Sequence, residues 1–234
     1  TPPSNPTEHR MPTWTLDNAD ALAAQYRYTF YQPSPAVIAR LAPGDVVKLI
    51  FRFESSDPDA PGAERMWVIV DEVLPQGRFK GRLDNQPRHI TDLQLGDPVA
   101  FEACHIVNTQ LDDGEDNLAD RYALRCFVTR RVLDDGAPVG YLYREDPDGE
   151  DDSGWRITAN DEDQAYMDDA DNLAYVSLGV VLNLDDSFVD LLHEAPGAAY
   201  ARDPDTGAFV ACDDEEGDEV NNGGAGAHGS ARSD

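Results

Sequence analysis

YLYREDPDGEDDSGWRITANDEDQAYMDDADN, residues 141–172, decides how the rest of the chain is read. Twelve carboxylates crowd it, at Glu145, Asp146, Asp148, Glu150, Asp151, Asp152, Asp161, Glu162, Asp163, Asp168, Asp169 and Asp171. Only Arg144 and Arg156 oppose them. Threaded between the charges are Tyr141, Tyr143, Trp155, Ile157, Tyr166 and Met167. A disordered acidic segment lacks such anchors, because it cannot bury enough apolar surface to order itself. The stretch therefore predicts a folded surface that holds carboxylates in fixed places, and a basic partner for it.

Strand and turn signals surround it. Residues 125–133 (RCFVTRRVL) read as a strand, Asp134-Asp135-Gly136 as a turn, and residues 139–145 (VGYLYRE) as its hairpin partner. Residues 155–159 (WRITA) read as a third strand, and residues 161–167 as one or two helical turns. Residues 173–184 are expected to begin as strand and end as helix. Asp185 or Asp186 can cap a helix over residues 187–193, and residues 198–203 and 207–212 close a hairpin around Pro204-Asp205-Thr206-Gly207.

The first half has its own pattern. Asp17 or Asn18 can cap a helix over Ala19–Gln25, and Pro33-Ser34-Pro35 opens another over residues 35–41. Four strands are expected at residues 46–54, 65–74, 78–85 and 99–107, separated by turns at Pro43-Gly44-Asp45, Pro75-Gln76-Gly77 and Leu95-Gly96-Asp97-Pro98. The fold class is thus α+β, with two small domains, each an antiparallel curled sheet with a few short helices. The boundaries are a flexible arm at 1–13, an N-terminal domain at 14–109, a linker at 110–120, a second domain at 121–212, and a disordered acidic, glycine-rich tail at 213–234.

The 234 residues carry a formal net charge of −28. Such a charge disfavours nucleic acid and anionic membranes and hastens encounter with cations. An acid-rich proteome, as in salt-adapted organisms, is the plain alternative, but here the acids cluster. Cys104, Cys126 and Cys212 are odd in number and lack metal or redox spacing, which points to a reduced, cytoplasmic setting. No run approaches the roughly 18 apolar residues of a membrane span. The chain begins TPPSNP without a methionine, so removal of an earlier segment stays open.

Three motifs then carry a resemblance: Gly136-Ala137-Pro138-Val139-Gly140-Tyr141, Asp152-Ser153-Gly154-Trp155, and the run from Asn160 to Asn172 that holds Asp161-Glu162, Tyr166-Met167-Asp168 and Asn172. Over residues 124–212 the chain closely resembles the bacterial immunity-protein-thirty-three family. Asn160 stands where that family is expected to have glycine more often. The resemblance implies an immunity protein of a polymorphic toxin system, with type VI secretion and bacterial competition as its setting. Its partner would be a basic cognate toxin, neutralised by stoichiometric binding. The first half looks like a different, uncharacterised bacterial domain, through Arg65-Met66-Trp67-Val68-Ile69-Val70 and Gly81-Arg82-Leu83-Asp84-Asn85-Gln86-Pro87. That likeness implies little about activity.

Expected partner contacts are Tyr143, Asp146, Asp148, Glu150, Asp151, Asp152, Trp155, Tyr166, Asp168 and Asp169. Against this, aromatic residues in strands usually pack, which would put Trp155 in the core. If the toxin is a nuclease, the carboxylates could stand in for phosphates. Asp146, Asp148 and Glu150 mimic the opening of a calcium loop, but Asp151 and Ile157 stand where that loop wants glycine and glutamate. Cys104 and His105, adjacent on an expected strand, would point to opposite faces and make no nucleophile–base pair. No catalytic group, cofactor or metal is expected. The rivals are an enzyme that reverses a toxin's modification and a general acidic binding module.

Overall fold

The computed structural model describes residues 12–55, 61–114 and 116–212. The acidic tail, all but the last two residues of the arm, and the middle of loop 55–62 lie outside these residues. The fold is α+β, built on two six-stranded sheets with a few short helices.

The first sheet comprises β1 (Trp14–Leu16), β2 (Val46–Phe53), β3 (Ala63–Leu74), β4 (Arg78–Leu83), β5 (Pro98–Glu102) and β6 (Ile106–Thr109). Strands β1 to β5 lie in sequence order, all antiparallel. β6 returns to pair with Val47–Leu49 of β2, while β1 pairs with its far end, so the sheet curls toward a barrel. The two-residue period turns Val47, Leu49, Phe51, Met66, Val68, Val70, Phe79, Leu83, Val99 and Phe101 into one core. Each such burial contributes roughly 1.5–3 kcal/mol.

Two expectations change here. The strand expected at 99–107 is broken by a 3-10 turn at Ala103–His105, where the Glu102 amide donates to His105 Nδ1 at 3.0 Å. The turn carries the chain from the β4 edge to the β2 edge, which an unbroken strand could not do. β1 was not expected; three residues give too short a pattern to read. The helices follow their caps. α1 (Ala19–Gln25) starts where Asn18 accepts from the Ala21 amide. α2 (Pro35–Ile38) starts where Ser34 accepts from Val37, though it ends three residues early.

The second sheet contains β7 (Arg125–Thr129), β8 (Tyr141–Arg144), β9 (Asp152–Thr158), β10 (Leu173–Ser177), β11 (Ala199–Arg202) and β12 (Phe209–Ala211), in the order β10-β7-β9-β8-β11-β12. The expected hairpin of β7 with β8 is not formed. β9 lies between them, antiparallel to β8 and parallel to β7. Residues 130–133 are also helix rather than strand. Continued alternation would have turned Arg130 into the core beside Cys126 and Val128. The helical turn instead buries Val132 and sends Arg130 and Arg131 out to Asp134 and Asp135. The strand-to-helix switch after residue 173 is as expected, with a helix at Leu178–Leu182. The helix expected over 187–193 shrinks to a 3-10 turn at Val189–Leu191.

One face of this sheet packs on a core of Cys126, Val128, Val132, Leu142, Trp155, Ile157, Val181 and Phe188. Tyr28, which follows α1, belongs to the same core. Its amide donates to Asn183 Oδ1 and its hydroxyl to Asp186, each at 2.9 Å. Gly179 makes the fit: a Cβ there would stand 2.2 Å from the Tyr28 carbonyl oxygen. The passage between the sheets is tied down as well. Asp113 accepts from the Tyr31 hydroxyl (3.0 Å) and from the amide (2.8 Å) and hydroxyl (2.6 Å) of Ser34.

Candidate functional site

β9 is the axis of the site. Its seven residues span roughly 20 Å at strand rise, from the acids of residues 145–152 at one end to those of residues 161–171 at the other. Its inward side chains, Trp155 and Ile157, are buried. Its outward side chain Arg156 lies in a cross-strand row: Tyr175 opposes Phe127, Phe127 opposes Arg156, Arg156 opposes Tyr143, and Tyr143 opposes Ala199. The Phe127 and Tyr175 rings meet at 4.8 Å, and Tyr143 lies 5.7 Å from Tyr141. Phe127 and Tyr175 remain more than a third exposed on this open face. Large apolar side chains left uncovered in a row mark a contact surface more often than isolated ones do.

Arg156 is fixed in place. Asp152 grips it through two hydrogen bonds of 3.0 Å, and its Nε donates to Glu145 at 2.9 Å. The guanidinium lies over the Phe127 ring at 4.9 Å. Asp152 accepts further from the amides of Gly154 and Asp148. The Arg156 hydrogen bonds hold the Asp152 carboxyl well below the usual carboxylate range, and the guanidinium is raised in turn. Gly154 permits this turn, with φ +80° and the Glu145 carbonyl 2.2 Å from where a Cβ would sit.

Beside Arg156 lies a hollow of about 300 Å³, lined by Phe127, Tyr143, Ile157, Thr158, Met167 and Leu173. Met167 comes from the one-turn helix at Gln164–Met167, whose N-cap Asp163 accepts from the Tyr166 amide. Asn160 reaches that helix through φ +65°, a left-handed conformation in which asparagine and glycine are the usual residues. The expected place for glycine therefore keeps its turn.

The expected contact residues sort into three groups. Asp146, Asp148, Glu150 and Asp151 are exposed on the loop before β9, and Tyr143 is half-buried on the open face. Asp168 and Asp169 are exposed at the opposite end, though Asp168 accepts from Gln164 and Asp169 from the Asp171 amide. Tyr166 spends its hydroxyl on the Arg131 amide at 2.9 Å. Two of the ten are buried instead. Trp155 is fully buried and presents nothing to a partner, and Asp152 is consumed by Arg156. Phe127, Tyr175, Leu173 and Arg156 were missed. The alternation of Arg125-Cys126-Phe127-Val128-Thr129 put Phe127 outward, but the strand order that gathers these residues is not local.

Elsewhere the reading of Cys104 and His105 rested on a strand that is a 3-10 turn, and His105 Nδ1 is occupied by the Glu102 amide. Burial pushes the Cys126 thiol up to about 12. Among the described residues no helix is long and apolar enough to cross a membrane.

The charge is unevenly shared. Through Thr109 there are 14 acidic and 10 basic residues; beyond it there are 32 and 8. No curated protein and no solved structure matches the chain. Residues 126–213, which hold the open face and both acid clusters, match the family model described as the Immunity protein Imm33 domain, and this supports an immunity-protein family for the C-terminal part of the chain.

Proposed function

We propose that the chain is an immunity protein that neutralises a basic cognate toxin by stoichiometric binding on the open face of the second sheet. The observation that carries this is the row Tyr175, Phe127, Arg156, Tyr143, set between two acid clusters inside the region that matches an immunity family. The division of labour follows from physics. Exposed carboxylates attract a cationic surface from a distance and raise the association rate. A few well-packed aromatic and aliphatic contacts then hold it.

The test uses the full chain and the product of the toxin gene beside its own. Binding should titrate at one to one, and protection should end when toxin exceeds the chain; protection at far lower ratios would point to an enzyme instead. Reversing Asp146, Asp148, Glu150 and Asp151 to lysine together should slow association at least tenfold and flatten its salt dependence, with dissociation little changed. Unchanged association would move the interface elsewhere. Asp152 is excluded from the set because its loss would free Arg156.

A further inference from the structure

We propose that the hollow beside Arg156 is a socket for a single apolar or aromatic side chain that projects from a basic partner surface, with lysines or arginines flanking it. This rests on the immunity reading and goes further, naming the feature that the partner must carry.

The hollow lies along the C-terminal part of β9, at Arg156 to Thr158, with the acids of residues 145–151 on one side and those around residues 163–169 on the other. Its walls are the rings of Phe127 and Tyr143 and the chains of Met167 and Leu173, and its volume of about 300 Å³ suits one large side chain better than a segment of backbone. The charge in the wall does not argue otherwise. Arg156 is bound by Asp152 and Glu145 and lies over the Phe127 ring, so its charge is already matched by two carboxylates and does not call for an anion. On both sides the chemistry reverses. Glu145, Asp148 and Asp151 stand beyond Arg156, and Asp163, Asp168 and Asp169 surround the helix that supplies Met167. An apolar centre inside an acidic rim is complementary to an apolar knob inside a basic rim. The walls are also largely preformed, since three of them are on strands and Arg156 is clamped, so little ordering is needed on binding.

The full chain, labelled with nitrogen-15, would be titrated with two synthetic peptides, acetylated and amidated: Lys-Lys-Phe-Lys-Lys and Lys-Lys-Ser-Lys-Lys. The expected result is that the phenylalanine peptide shifts the amides of Phe127, Tyr143, Thr158 and Leu173 and binds at least threefold more tightly. Met167→Ser, and separately Tyr143→Ser, should bring the ratio to about one while the spectrum stays that of a folded chain. Equal binding of the two peptides, binding of neither, or shifts confined to the acidic loops would overturn the socket. The two readings fail separately. A toxin that binds the full chain while the peptides are not distinguished removes the socket and leaves the immunity role. A seated phenylalanine, in a chain that protects against no neighbouring toxin, removes the immunity role and leaves the socket.

Discussion

The two sheets use similar material and treat their outward aromatic residues differently. On the first, Trp67 lies under the Lys48 ammonium at 4.3 Å, and the neighbouring Arg82 and Lys80 pair with Asp71 and Glu72. Charge is nearly balanced there, and the sheet curls until β6 meets β2. On the second, Phe127 and Tyr175 stand in an open row with acids well in excess. A sheet that closes on itself spends its inner surface on a core and keeps a mixed, balanced exterior. An open sheet, antiparallel in all but one of its pairs, can cover one face and offer the other.

Four changes would break or sharpen that contrast. The largest effect is expected for Trp155→Ala, which removes a fully buried indole from the second core. It should cost about 3–5 kcal/mol in denaturant unfolding, whereas Trp67→Ala on the first sheet should cost about 1 kcal/mol or less. Comparable losses would mean that the two aromatics are not on opposite sides of the inside–outside divide.

Next is Asp152→Asn, which leaves the Arg156 guanidinium without its buried, doubly bonded carboxylate partner. A loss of about 3 kcal/mol is expected, along with exchange broadening of the Phe127 and Tyr143 resonances. The same pair sets an acid limit. The Asp152 carboxyl titrates lower in the fold than in the unfolded chain, so the unfolded state takes up the proton first. The pair's contribution is complete above about pH 5 and is lost as pH falls below the ordinary aspartate value near 3.9 toward the folded one. Wild type should therefore lose more stability on acidification than Asp152→Asn does.

A smaller effect is expected for Gly179→Ala, whose methyl would meet the Tyr28 carbonyl oxygen. About 2 kcal/mol of overpacking strain is expected, with faster hydrogen exchange at the Tyr28 amide. Smallest is Tyr31→Phe, which removes one hydrogen bond to Asp113 and about 1 kcal/mol. Burial and Asp113 push the Tyr31 phenol up to about 12, so the wild-type contribution is present below its ordinary value near 10 and is lost as pH rises through 12. Stability between these values should fall for wild type and stay flatter for the variant.

What could be read from sequence was whatever neighbours along the chain decide. The caps at Asn18 and Ser34, the strands at Val46–Phe53 and Arg78–Leu83, and the switch to helix after Ser177 all depend on residues within one turn. The insertion of β9 between β7 and β8 depends on partners far apart in sequence, and the nearby Asp134-Asp135-Gly136 turn argued for a simple hairpin. The candidate site divides the same way. Acids on the loops were visible as acids, and burial of Trp155 was foreseeable from its strand. Arg156 as the charge that organises them was not, because Asp152 four residues earlier reads as one more member of an acidic run until the turn at Gly154 folds it back.

Tyr28 lies almost a hundred residues before the first strand of the sheet whose interior it completes. Exchange of the second half between related genes would thus swap a lock without its key. A chimera inherits a sound interior only when the ring at position 28 and Asp186, which accepts from its hydroxyl, travel together or already agree. The heritable unit of this protein is accordingly larger than the segment that would meet a toxin.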